Sequence, residues 1–275
     1  MEKEDKKIVD IDKHKKEEDK KEAPAKVLTV FSIKGGVGKT MISTNLALAL
    51  SMKKNRVIIF DMNFHSGDVS STLNLSPELS ISDLVENIDF YTPKDMENVL
   101  TPFDENLKVL AAPIEPELAS SIKPELIRQT IDLLKEIADF IIIDSPSYFH
   151  DTVLTALSET DRFYLIATVD LLALKGALVT LQTLQLLDYP EDKIRFVLNR
   201  SKSKVGLTDQ EIERSLGIKI WSQIPSDRSI PMSVNTGSPL LIYFPKSPAA
   251  KSFFRMATTV LNDFRKPKRK KERAA

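Results

Sequence analysis

The sequence predicts an α/β fold, a doubly wound and mostly parallel β-sheet with helices on both faces, in a single domain. Three observations carry this expectation. Short, β-branched apolar runs recur and stop at a polar residue, among them Val27 to Phe31, Arg56 to Phe60, Phe140 to Asp144 and Ile194 to Asn199, as strands buried on both faces do. Helical patterns separate them, which is the alternation that builds a parallel sheet. At 275 residues the chain is long enough to bury one large core.

Composition narrows the chemistry before any motif is read. The chain has no cysteine, which removes disulfides, thiolate zinc sites, iron–sulfur clusters and cysteine nucleophiles together. Lys plus Arg and Asp plus Glu both number 39, so no global field selects nucleic acid or membrane. No apolar run approaches spanning length, and the first residues are charged where a leader peptide needs an apolar core. The expectation is a cytoplasmic protein. Residues 1–25 are dominated by Lys, Glu and Asp and are expected to form a disordered charged tail, with Ile8-Val-Asp-Ile11 its one apolar patch. Residues 265–275 form a basic C-terminal tail suited to anionic lipid or DNA phosphate, or simply to solvent.

The first strand, Val27 to Phe31, runs into Lys34-Gly-Gly-Val-Gly-Lys-Thr40 and then a helical pattern from Met41 to Leu50. Three of the eight glycines fall in this loop. Strand, glycine loop and helix make a phosphate cradle: Gly35, Gly36 and Gly38 let the backbone curl around Val37, and the helix N-terminus favours an anion. Lys39 reaches the β- and γ-phosphates, Thr40 supplies a hydroxyl to Mg²⁺, and Met41 opens the helix beneath the nucleotide. ATP and Mg²⁺ are therefore the expected cofactors.

The second strand ends in Asp61-Met-Asn63-Phe-His65-Ser-Gly67-Asp68, polar residues at the carboxyl end where open α/β sheets bind ligands. Residues 69–105 read as helical, with a helix start at Ser80, and hold the adjacent aromatics Phe90 and Tyr91. Leu107 to Ala111 reads as a third strand and Pro124 to Ile137 as an amphipathic helix with proline in its first turn. Phe140 to Asp144 has the form of a Walker B strand, whose terminal carboxylate serves the metal. Phe163 to Ala167 is a strand, and Leu171 to Leu187 a helix whose leucine and alanine spacing predicts core packing. Ile194 to Arg200 and Lys219 to Gln223 complete the sheet. Lys202 and Lys204 read as solvated loop charges. Ser247 to Ala257 opens a last amphipathic helix that carries Phe253, Phe254, Val260, Leu261 and Phe264.

With Lys34 ahead of its glycines, the loop resembles the deviant Walker A motif of the ATPase family containing MinD, ParA and the TadZ/CpaE pilus-assembly proteins. That resemblance covers residues 26–264, and it implies an ATP-sandwiched homodimer in which Lys34 reaches the partner's phosphates, as an arginine finger does. It implies a metal set of Thr40, Asp61 and Asp144, with Asp144-Ser-Pro146 opening a second switch that runs to Asp151. It further implies that Asn199 reads the adenine edge, that Pro225 and Asp227 close the adenine pocket, and that residue 63 orients the attacking water. The family carries aspartate there. Asn63 has no charge and takes up no proton, so the expectation is slow ATP hydrolysis and a dimerisation switch.

Gly67-Asp68 and the motif order resemble the TadZ/CpaE branch, which implies a protein partner in pilus or secretion machinery and recruitment to the membrane or a cell pole. A ParA-like DNA-segregation role lacks an Asp-Pro-Gln signature after the second strand. A MinD-like division role lacks an Arg-Asn-Leu-Asp segment. A tyrosine kinase needs a phosphoacceptor tyrosine tail, and an ATP-binding scaffold without turnover stays open because of Asn63.

Overall fold

The computed structural model describes residues 24–201 and 207–264. Strands are β1 (Lys26–Phe31), β2 (Val57–Asp61), β3 (Thr101–Pro102), β4 (Leu107–Leu110), β5 (Phe140–Asp144), β6 (Arg162–Thr168), β7 (Ile194–Ser201) and β8 (Ile220–Pro225). Helices are α1 (Lys39–Ser51), α2 (Asp68–Thr72), α3 (Pro93–Val99), α4 (Pro124–Ile137), α5 (Asp151–Ser158), α6 (Leu171–Leu186), α7 (Asp209–Leu216), α8 (Ser229–Asn235), α9 (Leu240–Tyr243) and α10 (Pro248–Phe264). They build one sheet of order β3-β4-β2-β5-β1-β6-β7-β8, parallel except for the short β3, which pairs antiparallel to β4 at its edge. The expected doubly wound α/β fold is what the chain adopts.

Alternation within each strand sorts side chains to the two faces. In β5, Phe140 and Ile142 join the layer that packs α1 and α10 through Ile42, Leu46, Phe253 and Val260. Ile141 and Ile143 join the layer under α3 and α4, with Met96, Ile127, Ile131 and Leu134. Helix α1 is buried from Met41 to Ser51, so it has no solvent face and little amphipathic pattern. Burying one such Leu or Ile contributes roughly 2 kcal/mol, and the effect of this layer is to hold the loop before α1 against the sheet.

Three expectations need correction. Residues 69–105 form α2, α3, the short strand β3 and 3₁₀ turns at Ile81–Leu84 and Ile88–Phe90, with Ser80 and Asp83 closing a reciprocal cap on the first of these turns. Phe90 is 83 % exposed there. Helix α6 is core on one side only: Ala173, Leu174, Ala177 and Leu184 are buried, while Leu171 and Leu186 are 77 % and 86 % exposed. Ala25, which the sequence reading put in the charged tail, is buried, and its N–H donates to the Lys135 carbonyl at 3.1 Å. The expectations for residues 1–23, for Lys202 and Lys204 and for 265–275 fall outside the described residues. Among the described residues no helix is long and apolar enough to cross a membrane.

Candidate nucleotide site

The carboxyl ends of β1, β2, β5 and β7 converge on one edge of the sheet, because parallel strands all deliver their loops to the same side. Gly38 leaves β1's loop in the left-handed region (φ 95°) and starts α1 without any side-chain cap. The helix therefore offers free N–H groups and its positive dipole end to the loop. Lys39, a cation, occupies the first helical position. Burial pulls its pKa below the usual lysine value, against the opposing pull of Asp144 and Asp68. A cation at a helix N-terminus is unfavourable by itself and becomes favourable beside an anion. Its Nζ donates to Ser147 Oγ at 2.5 Å.

Asp144 ends β5 almost fully buried. Thr40 Oγ1 donates to it at 2.6 Å and Ser43 Oγ at 2.8 Å. Burial pushes its pKa up to about 6, and the two hydroxyls and Lys39 pull the other way. A hydroxyl and a carboxylate at this separation are hard oxygen donors of the kind Mg²⁺ takes in small number, the remaining positions falling to water and substrate phosphates. The Thr40 hydroxyl and the Asp144 carboxylate therefore fit an Mg²⁺ that also takes phosphate oxygens; among the described residues no group of three or more His, Asp or Glu is placed to hold a metal.

Asp61 sits level with Asp144 on the neighbouring strand but is occupied differently. Its Oδ1 accepts from the Asn63 N–H at 3.0 Å and its Oδ2 from the Val69 N–H at 3.1 Å. These two bonds brace the loop that carries residues 63 to 68 and leave lone pairs on both oxygens, so the carboxylate keeps the capacity to serve a metal. Burial, and the Asp144 charge after it, push its pKa well up. Asn63 faces Asp68, donating from Nδ2 to Asp68 Oδ2 at 3.4 Å and to Ser66 Oγ.

A cavity of about 790 Å³ opens beside the loop, lined by Gly36, Gly38, Thr40, Met41, Asn199 and Asp227 among others, within the range of small-molecule sites. Asn199 is buried and gives its amide to the glycine loop, Nδ2 donating to the Val37 carbonyl at 2.7 Å. One N–H and part of its carbonyl capacity are left for a ligand. Asp227 also lines the cavity, and its carboxylate accepts from the Ser229 N–H at the start of α8 and from the Ala249 N–H at the start of α10. Pro225, expected in the same pocket, lines a separate groove with Ser201, Gln223, Pro248 and Arg255. Lys34 lies outside the cavity lining. It sits against α6, where a Cβ on Gly176 would meet Lys34 Cβ at 3.7 Å. Asp170, at the start of α6, is held low by the Thr168 hydroxyl, with the Lys34 charge adding to that effect.

Three participants escaped the sequence reading. Ser43 lies one turn after Thr40, so helical spacing placed it on the same face. Ser147 sits inside the expected second switch but had no partner until the fold set it against Lys39. Arg200 touches the loop at Gly36 O, 3.3 Å away, and no sequence signal announced it.

The sequence pattern of the CobQ/CobB/MinD/ParA nucleotide-binding domain, CbiA, matches residues 28–240. The chain belongs to this MinD/ParA family. The septum site-determining protein MinD of Thermotoga maritima is 28 % identical over 221 residues, covering 78 % of this chain and 80 % of that one. The sporulation initiation inhibitor Soj of Bacillus subtilis is 24 % identical over 249 residues, covering 86 % and 98 %. Among solved structures, a ParA family ATPase from Chlorobium tepidum superposes with a TM-score of 0.81 at 25 % identity, covering 85 % of this chain and 98 % of that one. MinD from Pyrococcus horikoshii complexed with Mg-ADP has the same fold, with a TM-score of 0.74 at 23 % identity, covering 86 % and 96 %. In this MinD/ParA-family chain the glycine loop lies beside the cavity just described.

Proposed function

We propose that this MinD/ParA-family protein is an ATPase that hydrolyses ATP slowly and acts as an ATP-dependent dimerisation switch positioning a cellular machine, pilus or secretion assembly first. The observation that carries the reading is the juxtaposition of Lys39, Thr40 and Asp144 at an uncapped helix start. In this reading Lys39 and the α1 N-terminus hold the phosphates, Thr40 and Asp144 hold Mg²⁺, and Asp61 acts through the loop it braces. Bound Mg²⁺ would neutralise charge on the phosphates. Ser147 gives Lys39 a direct link to the segment after β5, so what Lys39 binds bears on that segment. Lys34, outside the cavity lining and beside the exposed start of α6, would serve a second subunit. Asn199 keeps capacity for adenine, and Asp227 shapes the far wall.

Slow turnover follows from Asn63. The variant Asn63→Asp supplies the missing base and is expected to raise the rate of phosphate release by about tenfold to a hundredfold. The new carboxylate would face Asp68, and like charges raise a shared pKa, so the gain should grow with pH across the acidic range. An unchanged rate in a phosphate-release assay would mean that a group other than residue 63 positions the water, with Asp68 the first candidate.

The positioning role is tested by a fluorescent fusion in the native cells beside its Lys34→Ala version. A discrete polar or envelope focus that disperses in the variant is the expected result. Nucleoid-wide signal abolished by the variant would move the reading to ParA-like DNA segregation.

A further inference from the structure

The end of β7 carries a device that the nucleotide reading does not use. Between β7 and β8 the register pairs Asn199 with Ile224 and Ser201 with Pro225, so the ladder shifts at Arg200, as in a β-bulge. Its backbone is left-handed (φ 53°), a region that a residue with a β-carbon enters at a cost and that persists only where its surroundings hold it. Bulges next to sites re-aim a side chain. Here the guanidinium is aimed at the glycine loop, Nη2 donating to Gly36 O at 3.3 Å. The preceding residue does the same one peptide further on, Asn199 Nδ2 donating to Val37 O at 2.7 Å. Asn199 also accepts the Arg200 N–H on its own Oδ1 at 2.9 Å, which ties the two together.

Two successive peptide planes of the loop are thereby held by their carbonyls from one side. In a trans peptide the N–H points opposite to the C=O, so the Val37 and Gly38 N–H groups are turned away from β7. Gly36 has nothing within 4 Å of its Cβ position, and at φ 74° its flanking peptides are free to rotate unless something holds them. We infer that the Arg200 bulge is a clamp on the glycine loop: Arg200, with Asn199, is a positioning residue that orients the Val37 and Gly38 amides for a diphosphate-bearing ligand. This rests on the reading of the loop as a phosphate cradle.

The test compares the full chain with Arg200→Gly, Arg200→Lys and Lys39→Ala, measuring melting temperature without ligand and affinity for ADP and for inorganic pyrophosphate by calorimetry. Glycine accepts the left-handed backbone freely, so Arg200→Gly is expected to melt at or above the unmodified temperature. It should still bind both ADP and pyrophosphate about five- to tenfold more weakly, the loss of one charge-assisted hydrogen bond. Arg200→Lys, which keeps one donor within reach, should recover part of that loss. Undiminished affinity in Arg200→Gly would overturn the clamp, as would an affinity loss matched by a fall in melting temperature. Weaker ADP binding with unchanged pyrophosphate binding would also overturn it, placing Arg200 on the base or ribose. If Lys39→Ala binds pyrophosphate as tightly as the unmodified chain, the cradle reading itself fails, a result distinct from failure of the clamp.

Discussion

The Lys39→Ala variant is expected to lose ATP turnover by about a hundredfold or more while melting at the same temperature as the unmodified chain or above it. The two halves of that expectation have one cause. Lys39 is partly buried, and burial opposes its charge, so removing the ammonium relieves desolvation. What the fold loses is one hydrogen bond to Ser147, worth about 1 kcal/mol, and the attraction of Asp144 and Asp68, which desolvation exceeds. What the site loses is the only side-chain cation of the loop that lies beside Asp144, and with it charge-assisted contacts to phosphate worth about 1.5–3 kcal/mol in affinity alone. Phosphate release, ATP titration and a melting curve on the same preparation check all three. A variant that melted early would make Lys39 a structural residue, and a variant that turned over normally would remove the site from this loop.

Replacing Gly38 by alanine should have the largest effect on the fold as well as on binding. At φ 95° an L-residue is strained by about 1–2 kcal/mol, and the added methyl would lie 2.7 Å from Asn199 Nδ2. Asn199 cannot yield cheaply, because it is buried and its amide serves Val37 O; breaking that bond adds about 1–3 kcal/mol. A loss of about 2–5 kcal/mol in stability and of measurable nucleotide binding is expected. The control is Gly35→Ala in the same loop. Gly35 has nothing within 4 Å of its Cβ position and no positive φ, so alanine should change stability by no more than about 0.5 kcal/mol. Thermal melting of the two variants separates backbone geometry from glycine content, and equal losses would mean that the crowding at Gly38 has no consequence.

Legibility of this protein differed by element for physical reasons. Strands buried on both faces announce themselves as continuous apolar runs, and β5 was bounded correctly at both ends, as was α4 with its proline start. The segment after β2 was not, because short 3₁₀ turns held by reciprocal caps such as Ser80 and Asp83 carry the same local signals as a helix start. The outer side of α6 was misread because leucines at helical spacing do not say which side meets the sheet. At the site, Lys39, Thr40 and Asp144 were legible because loop chemistry and strand ends are local. Asp61 was found by position but its hydrogen-bond partners were not, since only the folded loop brings the Asn63 and Val69 N–H groups onto its two oxygens.

The sequence by itself determined the sheet, the glycine loop and the type of ligand they suit, since apolar periodicity and a loop's φ requirements are properties of neighbouring residues. Tertiary structure alone decided the contacts across long separations. It set Ser147 on Lys39, moved Pro225 out of the cavity, and turned the bulged Arg200 back onto Gly36. Each of these depends on where separate strands of one sheet end relative to one another, and that register is fixed by packing of the whole layer rather than by any single stretch of chain.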